Sequence, residues 1–255
     1  MAKSLPDDLR IDYKMLHQSQ LPLLQQLIKR VYANSRFYRD KLDAAGIKPE
    51  DIQSLDDFSH IPFTVKQELR EYPIEYLRAA AEEEIVRIHA SSGTTGKPTI
   101  IPYTKNDVHA FAEMMSRCLR FAGVKNRDRV QITPGYGLWT AGIGFQTGVE
   151  RIGAMAIPMG PGNTEKQLEM MVELKATVLI GTASYGLFLA EEIAKRNLVD
   201  RVSLRIGVFG SERWGEKMRQ RISSLLKIDT FDIYGLTEIY GPGIGIDCNH
   251  HCGIH

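Results

Sequence analysis

Four hydroxyl side chains, two glycines and a lysine stand together in Ser91-Ser-Gly-Thr-Thr-Gly-Lys97, with almost no bulk among them. Glycine lets backbone N–H groups approach an anion closely, hydroxyls add donors, and Lys97 adds a full positive charge. The ligand that suits such a loop is a polyphosphate. A Walker A loop would need glycine five residues before Gly96 and Ser or Thr after Lys97, opening a helix. Here those positions are Ser91 and Pro98, and Thr99-Ile-Ile101 reads as a turn into a strand. The Walker reading fails on spacing and on context. An ordinary hairpin turn uses the same residue types, so the rest of the chain has to decide.

A second cluster, Asp232-Ile-Tyr-Gly-Leu-Thr-Glu238, ends an apolar run in Tyr-Gly and then presents a hydroxyl and a carboxylate. Tyr234 offers a flat face for a purine, Thr237 can donate to a phosphate, and Glu238 can hold a hard Mg2+ ion. The bland alternative is a strand end with a surface glutamate. Upstream, Tyr136 and Trp139 lie among Gly135, Gly137, Gly142 and Gly144, which gives flat walls without crowding and suits a planar ring. Between these, Phe209-Gly-Ser-Glu-Arg-Trp214 is a third small-residue loop after an apolar run. The tail, Asp247-Cys-Asn-His-His-Cys-Gly-Ile-His255, carries two cysteines and three histidines. Thiolate and imidazole are zinc ligands, and a structural zinc takes four. Four on so short a stretch implies strain, so two from here and two from beyond His255 are expected. Cys118 reads as a buried apolar residue.

In this order SSGTTGKPT, the Gly135–Trp139 stretch, FGSERW and DIYGLTEIYGPG resemble the adenylate-forming (AMP-binding) superfamily. Its phenylacetate–CoA ligase and aryl-CoA ligase members are the most similar, from about residue 10 to the end. The resemblance implies ATP-dependent activation of an aryl or arylacetic acid to an acyl-adenylate, then transfer to coenzyme A. It implies ATP contacts from Ser91, Ser92, Gly93, Thr94, Thr95, Gly96, Lys97, Ser211, Glu212, Asp232, Tyr234, Gly235 and Thr237. Catalytic roles fall on Lys97, Thr237 and Glu238, the last holding Mg2+. The acid pocket falls on Tyr136, Trp139, Gly210, Ser211 and Pro242. The phenylacetate enzymes carry Ala and Pro where Ser211 and Arg213 stand, which leaves the acid itself open. Related ligases carry a Cys followed seven residues later by a His, and Cys248 and His255 match that spacing as Zn2+ ligands. Cys252, then His251 and His250, are the alternatives. An aspartate for the ribose, a hinge and a lid domain with a catalytic lysine have no counterpart after His255. The chain is expected to be the N-terminal part of a longer enzyme. A nucleotide-binding module, a phosphotransferase and an adenylating enzyme for another acid are the competing readings.

The elements that must hold these loops are legible as patterns. Residues 21–33, 36–45 and 64–68 read as helices, so a helical region is expected over 1–75. Thr104 to Ala122 is a capped helix stopping at Gly123. Short apolar strands near 130–133, 154–158, 177–180, 204–209 and 228–233 then alternate with helices. That predicts a three-layer α/β domain over 76–255 with a mainly parallel sheet and its loops at the strands' carboxyl ends. Lysine plus arginine number 32 against 31 acidic residues, so charge gives no reason to expect nucleic acid as a partner. No apolar run approaches the ~20 residues of a membrane span, and MAKSLPDDLR lacks the core of a signal peptide. Three cysteines form no disulfide framework, and a reducing, cytoplasmic setting is expected. The partners expected are small molecules, with a homodimer left open.

Overall fold

Five strands, β3 to β7, run parallel because each is returned by a helix. The computed structural model describes residues 13–91 and 96–255. β3 (Arg129–Ile132), β4 (Met155–Pro158), β5 (Val178–Thr182), β6 (Ile206–Gly210), β7 (Asp229–Leu236) and β8 (Gly241–Ile246) form one sheet, ordered β4-β3-β5-β6-β7-β8. β8 pairs antiparallel to β7 at the edge. The intervening helices are α6 (Thr140–Ile152), α7 (Thr164–Glu173), α8 (Ala183–Lys195) and α9 (Glu216–Leu226), with α5 (Lys105–Phe121) before β3.

Both faces of the sheet are apolar, and the two-residue period of the strands sorts them. Val178 and Ile180 join one core with Phe111, Met115 and Phe145 of α5 and α6. Leu179, between them, joins the other with Leu168, Leu189 and Ile222 of α7, α8 and α9. Strands buried on both sides read as continuous apolar runs, which is how they were legible. The amide nitrogen of the buried Gln131 donates to the Gln167 backbone and side-chain oxygens at 3.0 and 2.7 Å. At the opposite end from the ligand loops, buried Asp128 accepts from Thr177 Oγ1 at 2.8 Å and pairs with Arg205.

The helical region before this sheet has its own small core of Ile28, Leu42 and Ile52. It comprises α1 (Tyr13–Asn34), α2 (Arg36–Ala44), α3 (Lys66–Glu71) and α4 (Ile74–Leu77). Three corrections apply to the expected elements. α1 starts well before residue 21; its first two turns, YKMLHQS, mix apolar and polar residues without a clear stripe. α3 starts at Lys66 and not at Thr64: the Glu68 carboxylate accepts from Val65 N–H at 2.8 Å, so the cap is one residue later. β8 was not foreseen. The division expected after residue 75 falls inside α4.

β1 (Ile85–Ala90) and β2 (Ile100–Thr104) pair only with each other, as an antiparallel hairpin outside the main sheet. The loop they carry therefore is not at a carboxyl end of the parallel sheet, contrary to the expectation for all the ligand loops. Among the described residues no helix is long and apolar enough to cross a membrane.

Candidate functional site

The carboxyl ends of β3, β5, β6 and β7 open onto two adjoining cavities. The first, about 480 Å3, is lined by Trp139, Phe145, Thr182, Gly210, Thr237 and Pro242 among others. The second, about 800 Å3, is lined by Glu212, Arg213, Trp214, Asp232 and Tyr234. Ser211, Ile233 and Gly235 line both cavities, so the ends of β6 and β7 form the wall between them. That wall depends on close strand approach. A Cβ on Gly210 would stand 2.3 Å from Ile233 O, and one on Gly235 would stand 2.0 Å from Gly241 O.

Past Gly210 the chain turns sharply, with Ser211 at φ 70°. Glu212 holds this turn, its carboxylate accepting from Ser184 N–H at the start of α8 at 2.6 Å. The carboxylate thus already serves a backbone donor at a helix N-terminus, where negative charge is favoured. In the second cavity Tyr234 is exposed, presenting its ring as a sequence-derived purine platform requires. Burial, ahead of the neighbouring Asp247 charge, raises the pKa of Asp232. Asp247 sits behind it: its carboxylate accepts from Asp232 N–H at 2.7 Å and pairs with Arg219 at 2.7 Å.

Tyr136 is not brought into the first cavity with Trp139. A Cβ on Gly142 would lie 3.0 Å from its ring and one on Gly160 would lie 3.8 Å away, so the ring packs over the two glycines. The loop turns at Gly137 (φ 105°) between the two aromatics. Trp139, Gly210, Ser211 and Pro242 are brought together as expected.

The hairpin reaches this site through its base. Ala90 N–H donates to Leu138 O at 2.8 Å, and His89 Nδ1–H donates to the same carbonyl at 3.1 Å. Burial lowers the pKa of His89, which favours the neutral ring and hence its role as a strut. Ser91 closes the neck of the loop: its N–H donates to Thr99 O at 2.9 Å, and its hydroxyl accepts from Thr99 N–H at 2.9 Å. Its position is that of a hinge-pin for the loop, with one hydroxyl proton left to donate. Ser92, Gly93, Thr94 and Thr95 lie outside the described residues. Gly96 adopts φ 131° and Lys97 is exposed.

Thr237 and Glu238 follow β7. Thr237 is buried in the wall of the first cavity. The Glu238 side chain is 15% exposed, and Lys66 Nζ of α3 stands 3.1 Å from its Oε1. One carboxylate beside phosphate oxygens is the usual protein share of a Mg2+ site, so Glu238 fits that ion, with Lys66 as a neighbour that must share it.

In the tail, Ile246 and His255 exchange both backbone hydrogen bonds, at 3.1 and 2.9 Å. That closure returns His255 beside Cys248. The ligand atoms of Cys248, Cys252 and His255 lie within 4.8 Å of one another. Cys248 Sγ is 3.6 Å from Cys252 Sγ, and Cys252 Sγ is 3.8 Å from His255 Nε2. Two sulfurs bound tetrahedrally to one zinc at 2.3 Å stand about 3.8 Å apart, so the donor set fits the ion. Burial pushes the Cys248 thiol up, but the His250 amide, the Cys252 thiol and the Cys252 and His251 amides together bring it below its ordinary value. His251 is drawn away instead: its Nδ1 lies 3.0 Å from the buried Asp247 carboxylate. His250 is not one of the three clustered ligands. Three candidate donors thus meet where two were expected. Cys118 donates to Gly243 O at 3.3 Å, and burial pushes its thiol up to about 11, as an inert core residue.

A family model described as AMP-binding enzyme matches residues 22–253. The chain belongs to the AMP-binding enzyme family. Among curated proteins, the phenylacetate-coenzyme A ligase of Escherichia coli (strain K12) is 44% identical over 236 residues, 91% of this chain and 54% of that enzyme. The phenylacetate-coenzyme A ligase of Pseudomonas putida is 42% identical over 235 residues, 91% of this chain and 53% of that enzyme. The chain spans about half the length of these relatives. A crystal structure of 2-hydroxyisobutyryl-CoA ligase in complex with 2-HIB-AMP and CoA superposes with a TM-score of 0.88 at 24% identity. It covers 99% of this chain and 57% of that one, a likeness of fold.

Within this AMP-binding fold, several site residues were missed from the sequence. Phe145 and Thr182 line the first cavity and Trp214 the second. Trp214 also stacks under the Arg219 guanidinium, 4.6 Å from the ring centroid. The largest omission is Lys66, which α3 brings to Glu238. Its only signal was a basic pair four residues apart, Lys66 and Arg70, in a short helix.

Proposed function

We propose that this chain is the nucleotide- and acid-binding part of an ATP-dependent aryl-acid–CoA ligase acting on phenylacetate or a similar arylacetate. The observation that carries this is the pair of cavities divided by Ser211, Ile233 and Gly235, with Thr237 in the wall of the first and Tyr234 in the second. The purine lies on Tyr234 in the second cavity, and the acid's ring lies against Trp139 and Phe145 in the first. The α-phosphate then falls at the shared wall, beside the acid's carboxylate.

A carboxylate oxygen attacks the α-phosphorus and pyrophosphate leaves, giving an acyl-adenylate. The sulfur of coenzyme A then forms a bond to the acyl carbon, and AMP leaves. The protein's share of the first step is positioning and neutralisation of charge. Thr237 donates to an α-phosphate oxygen. Lys97 and the 91–96 loop hold the β- and γ-phosphates, with Ser91 fixing the loop's neck. Glu238 is the residue that would hold Mg2+, and the ion would supply positive charge beside the leaving group. Phe145 and Trp139 exclude water from the ring's side of the adenylate. Product analysis of the full-length protein tests this: AMP and pyrophosphate are expected, and ADP with a phosphorylated acceptor would make it a phosphotransferase.

The 248–255 loop is a structural Zn2+ site in this reading, with Cys248, Cys252 and His255 as ligands and one further donor. The loop lies behind the purine cavity, which Ile254 helps to line, so the ion fixes a wall and takes no part in the chemistry. Elemental analysis of full-length protein purified without chelator should find about one zinc per chain, and Cys248→Ser should lose most of it. Full retention of zinc by Cys248→Ser would remove Cys248 from the site.

A further inference from the structure

Three of the charged side chains of α3 have distinct places. Glu68 faces α2, where its carboxylate accepts from Lys41 Nζ at 2.8 and 2.6 Å and from Val65 N–H at 2.8 Å. That pair draws the Glu68 pKa down, Lys41 contributing most, and fixes how the helix is rotated. Two residues along a helix is a turn of about 200°, so residues 66 and 70, one above the other, point away from Glu68. Lys66 Nζ reaches Glu238 Oε1 at 3.1 Å. Arg70 stands beside the hairpin loop: its Nη1 would lie 3.8 Å from a Cβ placed on Gly96. One face of α3 thus borders the turn holding Thr237 and Glu238 at one end and the Gly96-Lys97 turn at the other.

We infer that α3 is a third wall of the polyphosphate site and that Lys66 binds the β/γ-phosphates of a nucleoside triphosphate, or free pyrophosphate. The inference rests on the nucleotide-binding reading proposed above. An ammonium on a flexible four-carbon stem, 49% exposed, re-aims at little cost. In the nucleotide-free chain it is held by Glu238. When a polyanion arrives, Lys66 is a cation within reach beside Lys97, less buried than Lys41 in its pair with Glu68. The helical region then has a function beyond scaffolding: it brings charge to the leaving group.

The test is calorimetric binding of inorganic pyrophosphate and of AMP, each without metal, to the 255-residue chain and its variants. Lys66→Gln keeps most of the stem and loses the charge. It should weaken pyrophosphate binding about tenfold, the low end for a hydrogen bond to a charged group, and leave AMP affinity within about twofold. Lys66→Arg should restore most of the affinity. The same comparison in a Glu238→Gln background separates contact from mere neutralisation of Glu238. Persistence of the loss there supports contact, and its disappearance overturns it. Equal pyrophosphate affinity in wild type and Lys66→Gln also overturns the inference, while leaving the proposed function standing. A wild-type chain that binds neither AMP nor pyrophosphate overturns the nucleotide reading, and this inference with it.

Discussion

Replacing Glu238 with glutamine should lower adenylate formation by the full-length enzyme about 10²–10³-fold, the loss typical when one preorganised charge-stabilising group is removed from an active site. Glutamine is nearly isosteric, so the turn after β7 keeps its shape while the ion pair with Lys66, 3.1 Å away, is lost. What disappears is the negative charge at a site that is 15% exposed, where little solvent screens it. Metal affinity should fall with it, so the activity should need a higher Mg2+ concentration to saturate. AMP binding should change little, because the purine cavity is lined by other residues. Rates within about threefold of wild type at equal Mg2+ would remove Glu238 from the proposed metal site.

Gly235→Ala should disrupt the wall between the two cavities. The added methyl would stand 2.0 Å from Gly241 O and 2.6 Å from Pro242 Cα, both backbone atoms of β8. No side-chain rotation relieves such a clash, so β8 must move off β7 or the pairing must break. Overpacking of this kind costs about 3 kcal/mol or more, which for a domain of this size lowers Tm by about 6–12 °C. Nucleotide and acid binding should both weaken, since Gly235 lines both cavities. A variant with wild-type Tm and intact binding would contradict the close packing of β7 on β8.

These two residues also mark how far the sequence could be read. The Asp232–Glu238 motif was legible because chemistry-bearing residues follow a clear apolar strand. β8 was not, because four of the six residues in GPGIGI are glycine or proline, which are depleted in strands. Its pairing is held by backbone approach at glycines. α5 was legible at both ends because its signals are local: Thr104 N–H donates to Asp107 Oδ2 at 2.8 Å, Asp107 N–H to Thr104 Oγ1 at 3.2 Å, and Gly123 follows at φ 88°.

The site's non-local features were illegible for the same physical reason. Lys66 meets Glu238 only because Glu68 is tied to Lys41 and turns α3. In the tail, a count of donors suggested strain, whereas the Ile246–His255 backbone pair folds the stretch back on itself and gathers three of them. Tyr136 and Trp139 looked alike as ring walls, yet Gly137 sends them in different directions.

The central claim, that this fold activates an aryl acid through an adenylate, is tested most directly by isotope exchange. Full-length protein, Mg2+ and ATP are incubated with labelled pyrophosphate, with and without phenylacetate. Adenylation is reversible while the adenylate stays bound, so label should enter ATP only when an acceptable acid is present and without coenzyme A. Phenylacetate-dependent exchange is the predicted result. No exchange with any acid across a panel of aryl and fatty acids would contradict the account.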